Sequence, residues 1–230
     1  MMRRNGIIIA IDGPAGVGKS TIGRMVAERI NYKFISSGKM YRAVAWLCVN
    51  NKVDLSNEEE VLKIAMQSVM KFVENKTPEP SLSINGHILE KELFDEEIAA
   101  ATSLVARLMN LRKYLVKLQR EIGKDGGIIM EGRDITTNVF PDAELKIYLD
   151  ASAEARANRR VKQLKEQGIS ADYNEILDMI KKRDAQDSSR KHNPLMKSHD
   201  SFYIDSTNLF KEEVVDKILN LYKETMEAKN

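Results

Sequence analysis

Residues 13–21 read GPAGVGKST, in which three glycines and a proline are followed by a lysine and two hydroxyl residues. The stretch comes directly after residues 6–11 (GIIIAI), an apolar run whose β-branched residues indicate a strand buried on both faces. It leads into residues 20–31, where apolar side chains recur at helical spacing. The strand, the helix and the spacing Gly-x-x-x-x-Gly-Lys-Ser together predict a phosphate-binding loop.

The predicted loop suits a nucleoside triphosphate. Glycines let the backbone curl so that successive N–H groups point at anionic oxygens, and the helix N-terminus adds partial positive charge. We expect Lys19 to reach the β- and γ-phosphates and the Ser20 hydroxyl to ligate Mg²⁺. The residues expected to contact the triphosphate in this loop are Gly13, Pro14, Ala15, Gly16, Val17, Gly18, Lys19, Ser20 and Thr21. The loop does not identify the acceptor, because GTPases, motor ATPases and small-molecule kinases all use it.

Further apolar runs predict the rest of the sheet. Strand-like segments lie at residues 32–36, 127–130, 145–150 and 201–206, with helical stretches between them. Strands that alternate with helices predict an α/β fold, a parallel sheet flanked by helices. Residues 71–94 differ, because Asn85-Gly86 between SLSI and HILE is a strong hairpin signal and predicts a small antiparallel insert. Residues 211–226 are predicted to form an amphipathic helix.

Composition narrows the class of protein. The 36 lysines and arginines nearly balance the 34 acidic residues, so no overall basic field favours nucleic acid as a partner. Cys48 is the single cysteine, which fits a reducing compartment. No apolar run approaches the ~18 residues of a membrane helix, and the run after Arg4 is shorter than a signal peptide core. We expect a cytoplasmic protein that binds neither membranes nor nucleic acid, and nothing demands more than a monomer.

Arginines and acidic residues cluster after the predicted strands. Ser37 and Arg42 follow the second strand, and Ser37 is expected to cap the next helix. Glu131, Arg133 and Asp134 follow the third. Ligands bind at the carboxyl ends of parallel strands, and a guanidinium fork suits phosphate oxygens. We therefore expect Arg42 and Arg133 at a second phosphate, and Glu131 at a Mg²⁺-bound water.

Two later groups admit more than one interpretation. Arg156, Arg159 and Arg160 fall on one helical face and could form a solvated basic stripe. Arg183 and Asp187 are four residues apart and could form a surface ion pair. Taken together with Arg42, Arg133 and Arg190, these side chains predict a strongly anionic reaction centre, as in transfer of a phosphoryl group between two phosphates.

The residues alone leave two different classes of function open. One is a kinase that phosphorylates a small molecule, such as UMP, AMP or shikimate. The other is a nucleotide-dependent switch or a nucleic-acid-binding ATPase. The second would need a guanine motif at a strand end, or a basic groove with interleaved aromatics. Residues 51–54 (NKVD) match the guanine motif in letters, but they follow a helix-like run and are interpreted as a helix end and loop.

The chain resembles the bacterial cytidylate (CMP) kinases, a group of nucleoside monophosphate kinases, over nearly its whole length. The resemblance rests on AIDGPAGVGKST (10–21), SGKMYRA (37–43), EGRDITT (131–137) and KKRDAQDSSRKHNPL (181–195). It implies a P-loop core of residues 1–36, 124–152 and 188–230. It also implies a CMP-binding region of residues 37–123, including a β insert at about 69–94, and a helical lid of residues 153–187.

The resemblance also implies a reaction, ATP + CMP ⇌ ADP + CDP with Mg²⁺, and dCMP as a further acceptor. Arg42, Arg133 and Arg190 would hold the acceptor phosphate. Ser103, Arg112 and Asp134 would read the cytosine edge with Ser37 nearby, and Arg183 and Asp187 would contact the sugar. Arg156, Arg159 and Arg160 would close over ATP. The implied catalytic residues are Lys19, Arg133, Arg159 and Arg160, and the implied metal site is Ser20 with Glu131.

Three positions depart from the usual text of that family. Ser36 stands where an aspartate is common, Glu131 replaces an aspartate, and Thr136 replaces a glycine. The change at Glu131 keeps the charge, whereas Ser36 removes a carboxylate beside the acceptor site. Thr136 is expected to stiffen its loop.

Overall fold

The computed structural model describes residues 3–190 and 192–228, apart from the side chain of Phe94. The core segments predicted above also include residues 1, 2, 191, 229 and 230, which lie outside the described residues. The centre of the fold is a five-stranded parallel sheet in the order β2-β6-β1-β7-β8. Its strands are β1 (Ile8–Asp12), β2 (Lys33–Ser36), β6 (Ile128–Gly132), β7 (Leu145–Asp150) and β8 (Phe202–Asp205).

The central strands are apolar because helices cover both faces of the sheet. Every residue of β1 and β6 is buried, as expected for strands in the middle of a parallel sheet. The register sets Asp12 at the end of β1 beside Gly132 of β6 and Tyr148 of β7. The carboxyl ends of these strands therefore meet at one edge, where the phosphate loop begins.

The helices predicted at residues 20–31 and 211–226 are observed as the first and the last of eight α-helices in the described part of the chain. These eight are α1 (Lys19–Ile30), α2 (Ser37–Asn50), α3 (Glu58–Gln67), α4 (Glu96–Val105), α5 (Met109–Gly123), α6 (Ala153–Glu166), α7 (Tyr173–Ser188) and α8 (Lys211–Glu227). One face of the sheet packs against α1 and α8 through Val26, Val214 and Ile218. The opposite face packs against α5 and a π-helical turn, Ile135–Val139.

Residues 37–123 contain a second apolar core. Helices α2, α3, α4 and α5 bury Val44, Val61, Ile98 and Leu115 against one another. Cys48 is buried in the same cluster as a free thiol. This core adjoins the one on the sheet, because Phe72 and Ile122 pack against both.

The predicted insert is present as an antiparallel sheet of β3 (Met70–Val73), β4 (Ser81–Ile84) and β5 (His87–Leu89). Asn85 and Gly86 both have positive φ, 52° and 84°, as a type I′ turn requires. The hairpin prediction is therefore confirmed. Leu82 and Leu89 of the insert pack against α2, so the insert is seated on the helix that carries Arg42.

Two smaller predictions have different outcomes. Residues 51–54 form the turn that follows α2 rather than a strand end, as predicted. The prediction that Ser37 caps α2 is wrong. Ser36 holds the N-cap position and its hydroxyl bonds to Glu131 instead of to the helix. Among the described residues, no helix combines the length and the apolar character needed to cross a bilayer.

Candidate functional site

The phosphate loop has the backbone geometry that its glycines predict. Gly13 has φ 153°, and a Cβ atom there would lie 2.0 Å from the carbonyl oxygen of Leu149. Gly18 is left-handed with φ 102° and immediately precedes α1. A side chain at Gly13 would collide with Leu149, and one at Gly18 would strain the backbone. The helix N-terminus and its free N–H groups therefore face the space in front of the loop.

Lys19 is folded back over this loop. Its Nζ donates to the carbonyl oxygens of Gly13 and Pro14, each at 2.8 Å, and lies 4.0 Å from the Glu131 carboxylate. Burial, assisted by nearby Arg133 and opposed by Glu131, lowers the pKa of Lys19 to about 7. Burial makes an ammonium group costly here even with Glu131 nearby, so a bound polyphosphate would favour the charged form of Lys19.

Two hydroxyl groups converge on Glu131. The Ser20 Oγ donates to Glu131 Oε1 at 3.1 Å, and the Ser36 Oγ donates to the same atom at 2.6 Å. Register pairs Ser36 directly with Glu131 across β2 and β6. Ser36 stands where an aspartate is common in the family that the sequence resembles. It therefore donates a hydrogen bond to Glu131 instead of adding a second negative charge.

Acidic residues hold the acceptor-side arginines in two buried groups. Asp187 accepts from Arg133 Nε at 2.8 Å and from Arg190. Asp134 accepts from Arg112 Nη2 at 2.6 Å, and that guanidinium lies 5.7 Å from the Tyr41 ring centroid. Burial alone would raise the pKa of Asp187, but Arg133 and Arg190 outweigh it and hold the pKa below its ordinary value.

The other residues expected to bind the acceptor lie in different environments. Arg42 donates to the carbonyl oxygen of Leu93 at 2.6 Å. Burial, together with nearby Arg133, lowers the pKa of Arg183. Ser37 is buried in the wall of the main cavity, which lies in front of the phosphate loop. Ser103 is exposed, donates to Ala99, and borders a smaller cavity of about 60 Å³ beside Arg183 rather than the main one.

The three arginines of α6 do not share one environment, so the prediction of a common face is only partly met. Arg156 is buried and forms two hydrogen bonds with Asp184, at 2.6 and 3.0 Å, and one with the Ala15 carbonyl at 3.1 Å. Arg159 lines the cavity and bonds to Ser206. Arg160 is exposed, bonds to Gln163 and lies outside the cavity lining.

One cavity of about 660 Å³ unites the loop with the acceptor residues. Its lining includes residues 15–21, Ser37, Arg42, Arg112, Glu131, Arg133, Asp134, Arg159, Arg183, Asp187 and Arg190. Groups that bind anions therefore line both the phosphate-loop part and the acceptor part of one cavity.

Asp12 is a buried carboxylate that sequence reasoning missed. Its oxygens accept from the backbone N–H groups of Ile135 (2.9 Å) and Thr136 (2.7 Å) and from the Thr136 hydroxyl (2.7 Å). Burial raises the pKa of Asp12 to about 6, and the bonds from Thr136 and Ile135 counteract it. Asp12 thus ties the end of β1 to the turn after Asp134. Its position directly before Gly13 was the available signal.

We expect Thr136→Val to lower the free energy of unfolding by ~1–3 kcal/mol, because it removes a buried hydroxyl bonded to a carboxylate at nearly constant volume. Denaturant titration would measure the change. Thr137→Val, one residue along the turn, is the control and should have a smaller effect. Equal stability of the Thr136 variant and the unmodified chain would contradict this account.

The chain is similar to known proteins in sequence and in fold. A family model described as cytidylate kinase matches residues 9–224. The cytidylate kinase of Alkaliphilus oremlandii (strain OhILAs) is 42% identical over 215 residues, covering 94% of this chain and 97% of that protein.

Another relative is much longer than this chain. The bifunctional pantoate ligase/cytidylate kinase of Prochlorococcus marinus subsp. pastoris (strain CCMP1986 / NIES-2087 / MED4) is 42% identical over 216 residues. These cover 94% of this chain but only 42% of that protein, so the chain spans less than half of its length.

Among solved structures, an uncharacterized protein from Eubacterium ventriosum ATCC 27560 matches with a TM-score of 0.50 and 13% identity, over 94% of this chain and 98% of that chain. At that identity the likeness concerns the fold alone. The family model, by contrast, covers nearly the whole chain. The chain belongs to the cytidylate kinase family.

Proposed function

We propose that this chain transfers the γ-phosphoryl group of ATP to CMP or dCMP and so forms CDP or dCDP. The observation that carries the proposal is the shared cavity, which has the phosphate loop at one end and the paired groups Arg133–Asp187–Arg190 and Arg112–Asp134 at the other. Two phosphates can meet there within a ring of cations. Positioning and charge neutralisation are what phosphoryl transfer needs from a protein.

Each group has a defined task in this proposal. Lys19 leaves its carbonyl partners and binds the β- and γ-phosphates. Arg42, Arg133 and Arg190 hold the acceptor phosphate, and Ser103, Arg112 and Asp134 with Ser37 read the base. Arg183 and Asp187 contact the sugar. No general base is required, because the acceptor phosphate is already ionised. The segments 37–123 and 153–187 act as acceptor-binding region and lid, and Arg156, Arg159 and Arg160 close over ATP.

The residues around Glu131 suit Mg²⁺. Carboxylate and hydroxyl oxygens are the hard donors that this ion prefers, and it keeps several water and phosphate ligands. The described residues contain no cluster of three or more His, Cys, Asp or Glu that would form an all-protein cage. Ser20 and Glu131 would hold the ion directly or through water, and it would neutralise charge on the transferred phosphate. A cytoplasmic location and a monomeric state stay predictions.

A panel of acceptors tests the proposal. ADP formation would be measured with ATP and, in turn, CMP, dCMP, UMP, AMP and shikimate. We expect CMP and dCMP to give the highest kcat/KM. A higher value for AMP or shikimate would contradict the proposal and favour the other kinase interpretation, and turnover independent of any acceptor would favour an ATPase.

The depressed pKa of Lys19 predicts proton uptake on ATP binding. The ordinary lysine pKa is 10.5 and the pKa of Lys19 is about 7, so Lys19 is mostly neutral at pH 8. A bound polyanion raises that pKa, so we expect roughly one proton to be taken up at pH 8. Calorimetry with ATP in buffers of different ionisation enthalpy measures this number. Uptake that persists in Lys19→Met would assign the proton to another group.

A further inference from the structure

Glu79 is a cavity-lining carboxylate that the proposed reaction does not use. It lies between β3 and β4 of the insert and is only 9% exposed. The other carboxylates among the described lining residues, Glu131, Asp134 and Asp187, each have a task in the scheme above. A largely buried carboxylate repels anionic ligands from this cavity unless nearby cations neutralise its charge.

Two cations from two different helices compensate Glu79. Its Oε1 lies 2.6 Å from Lys39 Nζ on α2, and its Oε2 lies 3.0 Å from Arg24 Nη1 on α1. The Nε of Arg24 also donates to the carbonyl oxygen of Ser20, at 3.2 Å. The Glu79 carboxylate therefore connects the insert to α1, which follows the phosphate loop, and to α2, which carries Arg42.

The backbone around Glu79 is held just as firmly. The Glu79 carbonyl oxygen accepts from Asn75 Nδ2 at 3.0 Å and from Thr77 Oγ1 at 2.8 Å. The N–H of Phe34 donates to the Pro78 carbonyl at 2.8 Å, which fixes this loop to the free edge of β2. These bonds set the direction in which the Glu79 side chain leaves the loop.

The anchor lies close to the acceptor arginine. Lys39 precedes Arg42 by three residues, so both project from one side of α2 a turn apart. Arg42 is itself bonded to Leu93 at the other end of the insert, at 2.6 Å. The insert therefore contacts α2 at two neighbouring points, and the second point orients the guanidinium of Arg42.

We propose that Glu79 is a positioning residue for the acceptor. Its bonds to Lys39 and Arg24 keep the insert seated, so that Leu93 holds Arg42 in the orientation that binds the acceptor phosphate. This proposal rests on the proposed function. When the anchor is lost, the insert occupies other positions, and the apparent dissociation constant of the acceptor rises as the competent fraction falls.

Glu79→Gln tests this role, because it keeps the shape of the side chain and removes its charge. We expect the KM for the acceptor to rise roughly 2- to 30-fold, the range found for substitutions within coupled networks. The KM for ATP should stay unchanged, whereas the melting temperature should fall, because Lys39 and Arg24 lose a largely buried partner. Glu74→Gln is the matched control: the same change in the same loop, at an ion pair with Lys33 whose side chains are 77% and 59% exposed. It should alter none of these quantities.

A second readout does not depend on turnover. Trp46, the single tryptophan of the chain, lies on α2 and stacks on His87 of the insert with ring centroids 5.2 Å apart. If the insert loosens in Glu79→Gln, acrylamide should quench Trp46 more strongly than in the unmodified chain or in Glu74→Gln. Lys39→Met should reproduce the effect, and the double variant should add little to it.

The outcomes separate this proposal from the proposed function. The acceptor panel on the unmodified chain decides the reaction, and Glu79→Gln is then compared with whichever monophosphate that panel identifies. An unchanged acceptor KM, an equal rise of both KM values, or unchanged quenching of Trp46 would each overturn the role of Glu79. If no acceptor is phosphorylated, the proposed function fails, and the quenching result alone decides whether Glu79 seats the insert.

Discussion

Lys19→Ala is expected to lower kcat roughly 10²–10³-fold, the loss found when one preorganised transition-state donor is removed. In the structure the Lys19 ammonium group lies within 2.8 Å of two loop carbonyl oxygens and 4.0 Å from Glu131. It is therefore centred in the loop, in reach of a triphosphate bound there. Charge that develops on the transferred phosphoryl group would lose its nearest protein cation.

The position of Lys19 makes the test specific. Lys19→Arg keeps the charge, but the larger planar guanidinium does not fit among buried carbonyl oxygens, so we expect it to be nearly as slow. Lys217→Ala, at an exposed position on α8, is the control and should have normal turnover. A rapid-quench measurement of ADP formation with saturating ATP and CMP gives kcat directly. Turnover within threefold of the unmodified chain would remove Lys19 from the mechanism.

Local patterns made several features predictable from the sequence. The phosphate loop is one continuous stretch whose glycines, lysine and serine each have a single task, so residues 13–21 could be assigned before the fold was known. Asn85-Gly86 is equally local, because two adjacent residues with positive φ suffice to define the turn. The five parallel strands followed from apolar runs that only a doubly covered sheet can bury.

Contacts between distant parts of the chain were not predictable in the same way. Asp12 meets Thr136 across 124 residues, and Glu79 meets Arg24 across 55. No local pattern encodes such a pair. Arg156 illustrates the same limit, because helical spacing set it beside Arg159, whereas the fold pairs it with Asp184 on α7. Arg42, Arg133, Arg159, Arg183 and Arg190 line one cavity, whereas Arg156 and Arg160 are not among its lining residues. The acidic partners that orient these side chains appeared only in three dimensions.

Asp134→Ala is expected to raise the KM for CMP roughly 10²-fold while the affinity for ATP changes little. Asp134 lies on the acceptor side, bonded to Arg112 at 2.6 Å and to Asn138 at 2.9 Å. Its removal leaves the buried Arg112 without its carboxylate and, if Asp134 reads the base as proposed, deletes an acceptor for the cytosine N4 amino group. Calorimetric titration with each nucleotide separates the two affinities, and Asp216→Ala, in an exposed pair with Arg29, is the control.

Loss of a buried ion pair also lowers stability, so binding has to be distinguished from folding. Asp134→Asn serves this purpose, because it keeps an oxygen and the shape of the side chain. Cytosine offers an N4 donor beside N3 and O2 acceptors, whereas uracil reverses the pattern at positions 3 and 4. If Asp134 reads the base, the ratio of kcat/KM for CMP to that for UMP must fall in both variants. If Asp134 had a purely structural role, kcat/KM would fall equally for CMP and UMP, and that ratio would stay unchanged.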